Sequence, residues 1–217
     1  DLRGALTPVK KGNFAAVTEP VQLTKILRAL EAYDGTLTVR CALRLAPLVV
    51  VRPGELRKAE WKDIDLDKAE WRFVASKTNP NHLVPLSKQA VATLHEMRAL
   101  TGAGRFVFPS ARGAQRPMSD AAVLAAMRRM EIPADEMTGH GFRATFRTIG
   151  AEVLKFRDDL MEHQLAHAVK DANGTAYNRT SFLPERKRMM QRWADYLDQL
   201  KKGEAANVVV GKFGGAA

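Results

Sequence analysis

Cysteine is almost absent. Cys41 is the single one in 217 residues, so no disulfide can form within the chain. Long apolar runs are missing too: the longest, Leu45 to Val51, contains Pro47, is flanked by Arg44 and Arg52, and is far shorter than the roughly 20 residues a membrane span needs. It reads as core. No basic stretch followed by an apolar one opens the chain, so no secretory leader is legible; the expected compartment is the cytoplasm, with no membrane partner. The first residue is Asp1 rather than Met and an apolar pattern follows almost at once, so the chain reads as a piece of something longer. There are no internal repeats and no long linker. Acidic charge is in short supply: 24 Asp and Glu face 34 Lys and Arg, a net charge of +10, and such a surface attracts polyanions, nucleic acid first among them. Charge alone leaves an ordinary basic protein equally open.

A hydrophobic content of 46% over this length suits one sizeable domain with a proper core. Residues 18 to 33 read as an amphipathic helix, with Thr18 as N-cap, Pro20 in the first turn, and Val21, Ile26, Leu27 and Leu30 as the apolar stripe. A second helix follows from about Thr36 and stops near Arg52-Pro53-Gly54, where Pro53 opens a short third helix and leaves Arg52 at a corner. From Trp61 to Leu86 short apolar runs alternate with turn signals at Asp65 to Lys68 and Thr78 to Asn81, predicting a small antiparallel sheet of three strands with Lys77 at a turn. Helices are expected over 87–100, 119–130, 140–154, 158–166 and 184–201, and a lone strand at Val208 to Val210. The predicted class is α+β, mostly α-helical.

Three tyrosines are present. Tyr33 sits at a helix end and Tyr196 has the spacing of a packed residue, whereas Tyr177 follows the loose stretch Asp171-Ala172-Asn173-Gly174 and precedes Asn178-Arg179. A phenol attacking a phosphodiester needs cations that neutralise the nonbridging oxygens and a proton for the leaving oxygen. Arg52 and Arg143, each at a predicted helix start, are candidates for the first role through forked, charge-assisted hydrogen bonds. Taken alone, each is more often a surface residue, Arg52 a solvated one before a proline and Arg143 one on a helix. In Thr138-Gly139-His140-Gly141-Phe142-Arg143 the histidine and arginine are three apart, on one helical face, and the flanking glycines permit close backbone approach to a ligand. Lys77 is a candidate proton donor at a hairpin tip, or an ordinary turn lysine. His163 and His167 stand four apart, but Gln164 occupies the place where a zinc hydrolase carries glutamate and no third ligand is evident, so zinc is rejected. His167 is the better candidate for a phosphate pocket. Asp158 and Asp159 read as first-turn helix acids rather than a catalytic pair.

These residues, in this order, together with the runs Leu45 to Arg57, Val84-Pro85-Leu86-Ser87, Gln164-Leu165-Ala166-His167, Ala176-Tyr177-Asn178-Arg179 and Gln191 to Leu197, resemble the catalytic domain of tyrosine recombinases, in particular integrases of P4-like phages and genomic islands. The resemblance runs nearly end to end. It implies the tyrosine recombinase catalytic-domain fold over 1–206 with a C-terminal tail at 207–217, and the absence here of the family's N-terminal arm-binding and core-binding domains. It further implies that Arg52 and Arg143 clamp the scissile phosphate, that Lys77 protonates the leaving oxygen, that His140 and His167 line the pocket, that Glu55 supports Arg52, and that Tyr177 is the nucleophile. The implied reaction forms a 3′-phosphotyrosine and a free 5′-hydroxyl and requires no cofactor or metal. The implied partners are double-stranded DNA attachment sites, three further copies in a homotetramer on two sites, and accessory DNA-bending proteins. Gly174 departs from the branched apolar residue more usual in that place. Val208 to Val210 is expected either to dock on the hairpin sheet, in its own molecule or in a neighbour, and so to regulate when Tyr177 enters the pocket, or to be an ordinary edge strand or crystal contact. A DNA relaxing enzyme of type IB topoisomerase kind and an inactive DNA-binding remnant are the alternatives.

Overall fold

The computed structural model describes residues 14–75, 81–167 and 182–204. The chain enters along residues 14–17 and turns into helix α1 (Pro20–Ala32). Pro20 occupies the first helical position, so the cap falls on Glu19 rather than on the expected Thr18, and no side-chain cap bond forms there. The buried stripe is Leu23, Ile26, Leu27 and Leu30, whereas the expected Val21 is 68% exposed. Those four positions follow the i, i+3, i+4, i+7 rule, and Val21 falls off that face.

Helix α2 (Leu37–Val49) is the axis of the domain, packed by α1 and by four later helices. Eight of its residues, from Cys41 to Val49, are buried, which makes the apolar run core as expected. Burial pushes the Cys41 thiol up to about 11. The helix ends where Val50 takes a left-handed conformation (φ 49°, ψ 31°), unusual for a β-branched residue. Arg52 then caps the short α3 (Pro53–Arg57), at the corner that Arg-Pro-Gly signals.

Three antiparallel strands follow, β1 (Ile64–Asp65), β2 (Glu70–Val74) and β3 (Asn81–Pro85), in the order β1-β2-β3. Register is set by Trp71, which pairs with Ile64 on one side and Val84 on the other, while the Asp65 carboxylate accepts from the Lys68 backbone N–H (2.9 Å) to close the first turn. Helix α4 (Lys88–Thr101) is capped by the Ser87 hydroxyl. A second, two-stranded sheet, β4 (Pro109–Ser110) with β5 (Gly113–Pro117), was not expected: β5 is exposed and lacks the apolar alternation by which a strand is recognised. Helices α5 (Ala122–Arg129), α6 (Gly141–Glu152), α7 (Asp158–Gln164) and α8 (Leu183–Lys202) complete the described fold, each within a few residues of its expected bounds. Trp193 of α8, 1% exposed, stacks edge-on against Phe146 and donates its indole N–H to the Pro47 carbonyl (2.8 Å), tying the last helix to the first core helix. Tyr196 is packed beside it, as its spacing predicts. Among the described residues no helix is long and apolar enough to cross a membrane. The expected strand at Val208 to Val210 lies outside the described residues.

Candidate active site

Two helix C-termini build the site. At the end of α7 the N–H of Ala166 returns to the His163 carbonyl (3.2 Å) and that of His167 to the Glu162 carbonyl (3.1 Å), with Ala166 left-handed (φ 49°). This is a Schellman stop with alanine where glycine is usual. It leaves three successive carbonyls to find partners elsewhere. Gln164 O accepts from His82 Nε2 (3.1 Å), Leu165 O from Arg143 Nη2 (2.7 Å), and Ala166 O lies 3.5 Å from Arg52 Nη2. At the end of α2, Val50 O accepts from Arg143 Nη1 (2.8 Å). The negative ends of two helices thus hold the guanidinium groups, which is the favourable sense for a cation.

Arg143, in the first turn of α6, is 8% exposed, which rules out the surface-arginine reading. Burial, and then the neighbouring Arg52, push its guanidinium down to about 10, still fully charged at neutral pH. Arg52 is held differently. The Glu55 carboxylate accepts from its backbone N–H (2.9 Å) and from Nη1 (3.0 Å), so one buried acid fixes the arginine at both ends and caps α3.

His167 lies between α6 and α7. Its Nε2 is 3.1 Å from Arg143 Nη2 and its Nδ1 is 2.5 Å from Glu162 Oε2. An arginine can only donate, so Nε2 carries the lone pair and Nδ1 carries the hydrogen. Burial raises the Glu162 carboxyl, but the bonds from His167 and Arg147 outweigh that and hold it below the usual range. The four-residue spacing to His163 has no shared face, because the helix stops between the two rings; His163 meets Phe182 edge-on instead.

His140 is the cap residue of α6, and its carbonyl accepts the Arg143 backbone N–H (3.1 Å). Its ring stacks on Phe14 at 4.2 Å, with 20° between planes. The glycines beside it make room for the chain itself: a Cβ on Gly139 would meet the Pro53 ring at 3.3 Å, and one on Gly141 would overlap the Ala15 carbonyl oxygen and stand 2.9 Å from Met137 Sδ. The entering chain crosses that spot, and its Ala15 carbonyl accepts from the Thr138 N–H (3.2 Å) and hydroxyl (3.3 Å). Gly141→Ala is therefore expected to dislodge residues 14–17 and the Phe14 stack, lowering stability by about 2 kcal/mol, the cost of overpacking. Thermal unfolding and the ring-current shift of His140 in the proton spectrum would check it.

The structure brings Arg52, Glu55, Arg143 and His167 into one hydrogen-bonded group, with His140 one turn from Arg143. Lys77 and Tyr177 lie outside the described residues. The sequence reading missed Glu162, His82, Arg186 and Phe14, and gave Gln164 no role beyond its place in a motif; a carboxylate five residues before a terminal histidine was the one usable signal. His82 has a consequence of its own. Burial, followed by the charge of Arg186, pushes its imidazole from 6.5 down to about 4. Above pH 6.5 the ring is neutral in both folded and unfolded chains. As pH falls from 6.5 towards 4 the unfolded chain takes up a proton that the folded one refuses, so stability is lost across that window, on the order of 3 kcal/mol. The urea midpoint is expected to drop there, and His82→Gln, whose amide can still donate to Gln164 O, to flatten the drop.

The phage integrase family model matches residues 16–182. The chain belongs to the phage integrase family, the tyrosine recombinases. It is 36% identical over 214 residues to the integrase of Enterobacteria phage P4, covering 91% of this chain and 48% of that protein. Against prophage integrase IntA of Escherichia coli K12 it is 34% identical over 196 residues, 89% of this chain and 47% of that one. The chain thus spans about half the length of the curated relatives it matches. Among solved structures, the lambda integrase catalytic core superposes with a TM-score of 0.53 at 22% identity, over 74% of this chain and 95% of that one. The integrase from mycobacterium phage Brujita does so with 0.63 at 15%, over 90% and 65%. The tyrosine recombinase catalytic fold expected from the sequence is the fold observed.

Proposed function

We propose that this integrase-family chain is the catalytic domain of a site-specific recombinase that cuts and rejoins double-stranded DNA to integrate or excise a prophage or genomic island. The observation that carries the reading is the pair of arginines fixed side by side on the α7 carbonyls, one braced by Glu55 and the other by Val50 O and Leu165 O. Rigid forked donors of this kind suit the nonbridging oxygens of a phosphodiester and cost no reorganisation at the moment of reaction. Arg52 and Arg143 take those oxygens, with His140 and His167 beside them. The Tyr177 phenolate oxygen attacks phosphorus, the bond to the 5′ oxygen breaks, and Lys77 gives that oxygen its proton. A 3′-phosphotyrosine results, and a 5′-hydroxyl from a partner strand reverses the step. The net charge of +10 supports a DNA partner. A lambda integrase structure is a tetramer bound to a Holliday junction, which supports a homotetramer on two sites here, with DNA-bending proteins as accessories. In the half of the relatives' length that the chain does not span we place arm-binding and core-binding domains, and for the whole we propose a cytoplasmic setting.

The test is incubation with supercoiled DNA in EDTA, followed by mass spectrometry for a DNA-linked Tyr177 peptide. An adduct that Tyr177→Phe abolishes is expected. Cleavage that stops in EDTA, or an adduct on another residue, would overturn the reading, and relaxation without exchange between two sites would turn it towards a topoisomerase.

A further inference from the structure

The Glu162–His167 pair lies beside the two arginines and has no part in the proposal above beyond placing an imidazole there. Its geometry assigns one tautomer: Nδ1–H to Glu162 Oε2 at 2.5 Å, and the Nε2 lone pair towards Arg143 Nη2 at 3.1 Å. In that form His167 has no hydrogen to offer an anion at Nε2. Glu162 is itself held from behind, by Arg147 Nε at 2.7 Å on its other oxygen, and Arg147 also reaches Asp158. Among the described residues, the charged groups on the elements that meet the ring are Glu162 and Asp158 on α7, Arg143 and Arg147 on α6, and Arg52 with Glu55 at the start of α3.

We propose that Glu162 is the positioning residue of His167 and makes oxyanion binding a proton-coupled event. The inference rests on reading the arginine pair as a phosphate site. While the site holds no anion, the Arg143 Nη2 hydrogen occupies the Nε2 lone pair and Glu162 holds Nδ1–H. When a tetrahedral oxyanion enters, the Arg143 Nη2 hydrogen turns from Nε2 to an oxyanion oxygen. The freed lone pair takes one proton from solvent, and the new Nε2–H is donated to the same anion. Nδ1–H stays on Glu162, whose negative charge balances the imidazolium. One proton is taken up for each oxyanion bound, and no other bond is made or broken.

Inorganic sulfate is the probe, because it remains a dianion across the pH range in which histidine titrates, so any pH dependence belongs to the protein. Imidazole nitrogen NMR on labelled protein should show His167 as the Nδ1–H tautomer without sulfate and doubly protonated with it. Sulfate affinity should weaken as pH rises, with a slope that approaches about tenfold per pH unit, the limit for one linked proton. Glu162→Gln, whose amide oxygen can still accept from Nδ1–H, should keep the tautomer and reduce the pH dependence to under about threefold. Glu162→Ala should lose both; Glu162→Gln decides the matter should the alanine variant not fold. An Nε2–H tautomer in the sulfate-free protein, or an unchanged pH profile in Glu162→Gln, would overturn the proposal while leaving the arginine clamp intact. Failure of sulfate to bind at any pH would overturn the clamp and this proposal together.

Discussion

Arg143→Lys is expected to lower the rate of Tyr177 adduct formation by about a thousandfold and to destabilise the fold by about 3 kcal/mol. Both effects have one origin. The guanidinium spends one fork on Val50 O (2.8 Å) and Leu165 O (2.7 Å) and meets His167 Nε2 at 3.1 Å. A lysine ammonium is a point donor on a flexible stem and cannot reach two carbonyls on different helices while facing an anion. Each buried acceptor left without a hydrogen costs about 1–3 kcal/mol. Arg52→Lys makes the contrast. Arg52 is held by Glu55, an ion pair that lysine can partly keep, and its bond to Ala166 O is long at 3.5 Å. Its loss of stability should stay at about 1 kcal/mol while the catalytic loss is comparable. Urea unfolding beside single-turnover cleavage separates the two quantities. An Arg143→Lys protein that is destabilised but cleaves at the native rate would leave Arg143 as a brace and nothing more.

That contrast also marks what the sequence could and could not disclose. Arg52 was legible as a corner because the signal is local: proline at the first helical position fixes the cap beside it. The three strands were legible because Trp71, Val84 and their neighbours alternate within a few residues. The support of Arg143 was not, since it comes from carbonyls 93 and 22 residues away: the sequence places the two helix ends within a few residues but does not show which carbonyls their left-handed stops set free. Both stops, at Val50 and Ala166, are left-handed without glycine, so the usual mark of a helix end is missing at the two places where it would have located the site. The Glu162–His167 contact follows from the second stop and was hidden with it. The β4–β5 hairpin was illegible for the opposite reason: β5 is exposed but for the half-buried Pro117, so no buried face imposes a pattern on it.

Arg186 is the residue the sequence disguised most fully, one basic position in a polar first turn, and Arg186→Leu is expected to cost about 4 kcal/mol. In the structure it is 3% exposed. It sits in the first turn of α8, the unfavourable helix end for a cation, and burial pushes it down to about 10. Its Nη2 donates to Leu83 O and to Gln164 Oε1, both at 2.7 Å, and the Gln164 amide donates in turn to Val49 O at 3.3 Å. One guanidinium therefore joins α8 to β3, to α7 and, through glutamine, to the end of α2. Leucine fills most of the volume and removes the burial cost of the charge, but it leaves two buried oxygens without donors. For a domain of this size that loss lowers the melting temperature by roughly 10 °C, with the urea slope unchanged if the fold is kept. Coupling through the glutamine gives the sharper check. With Gln164→Leu added, one of the two orphaned oxygens is gone, so the double variant should be less destabilised than the sum of the singles by at least about 1 kcal/mol. Because the Gln164 carbonyl also carries His82 and the next carbonyl carries Arg143, adduct formation should fall in Arg186→Leu even where the protein is fully folded. Additive singles, or full activity in the folded variant, would mean that α7 holds the arginine clamp without help from α8.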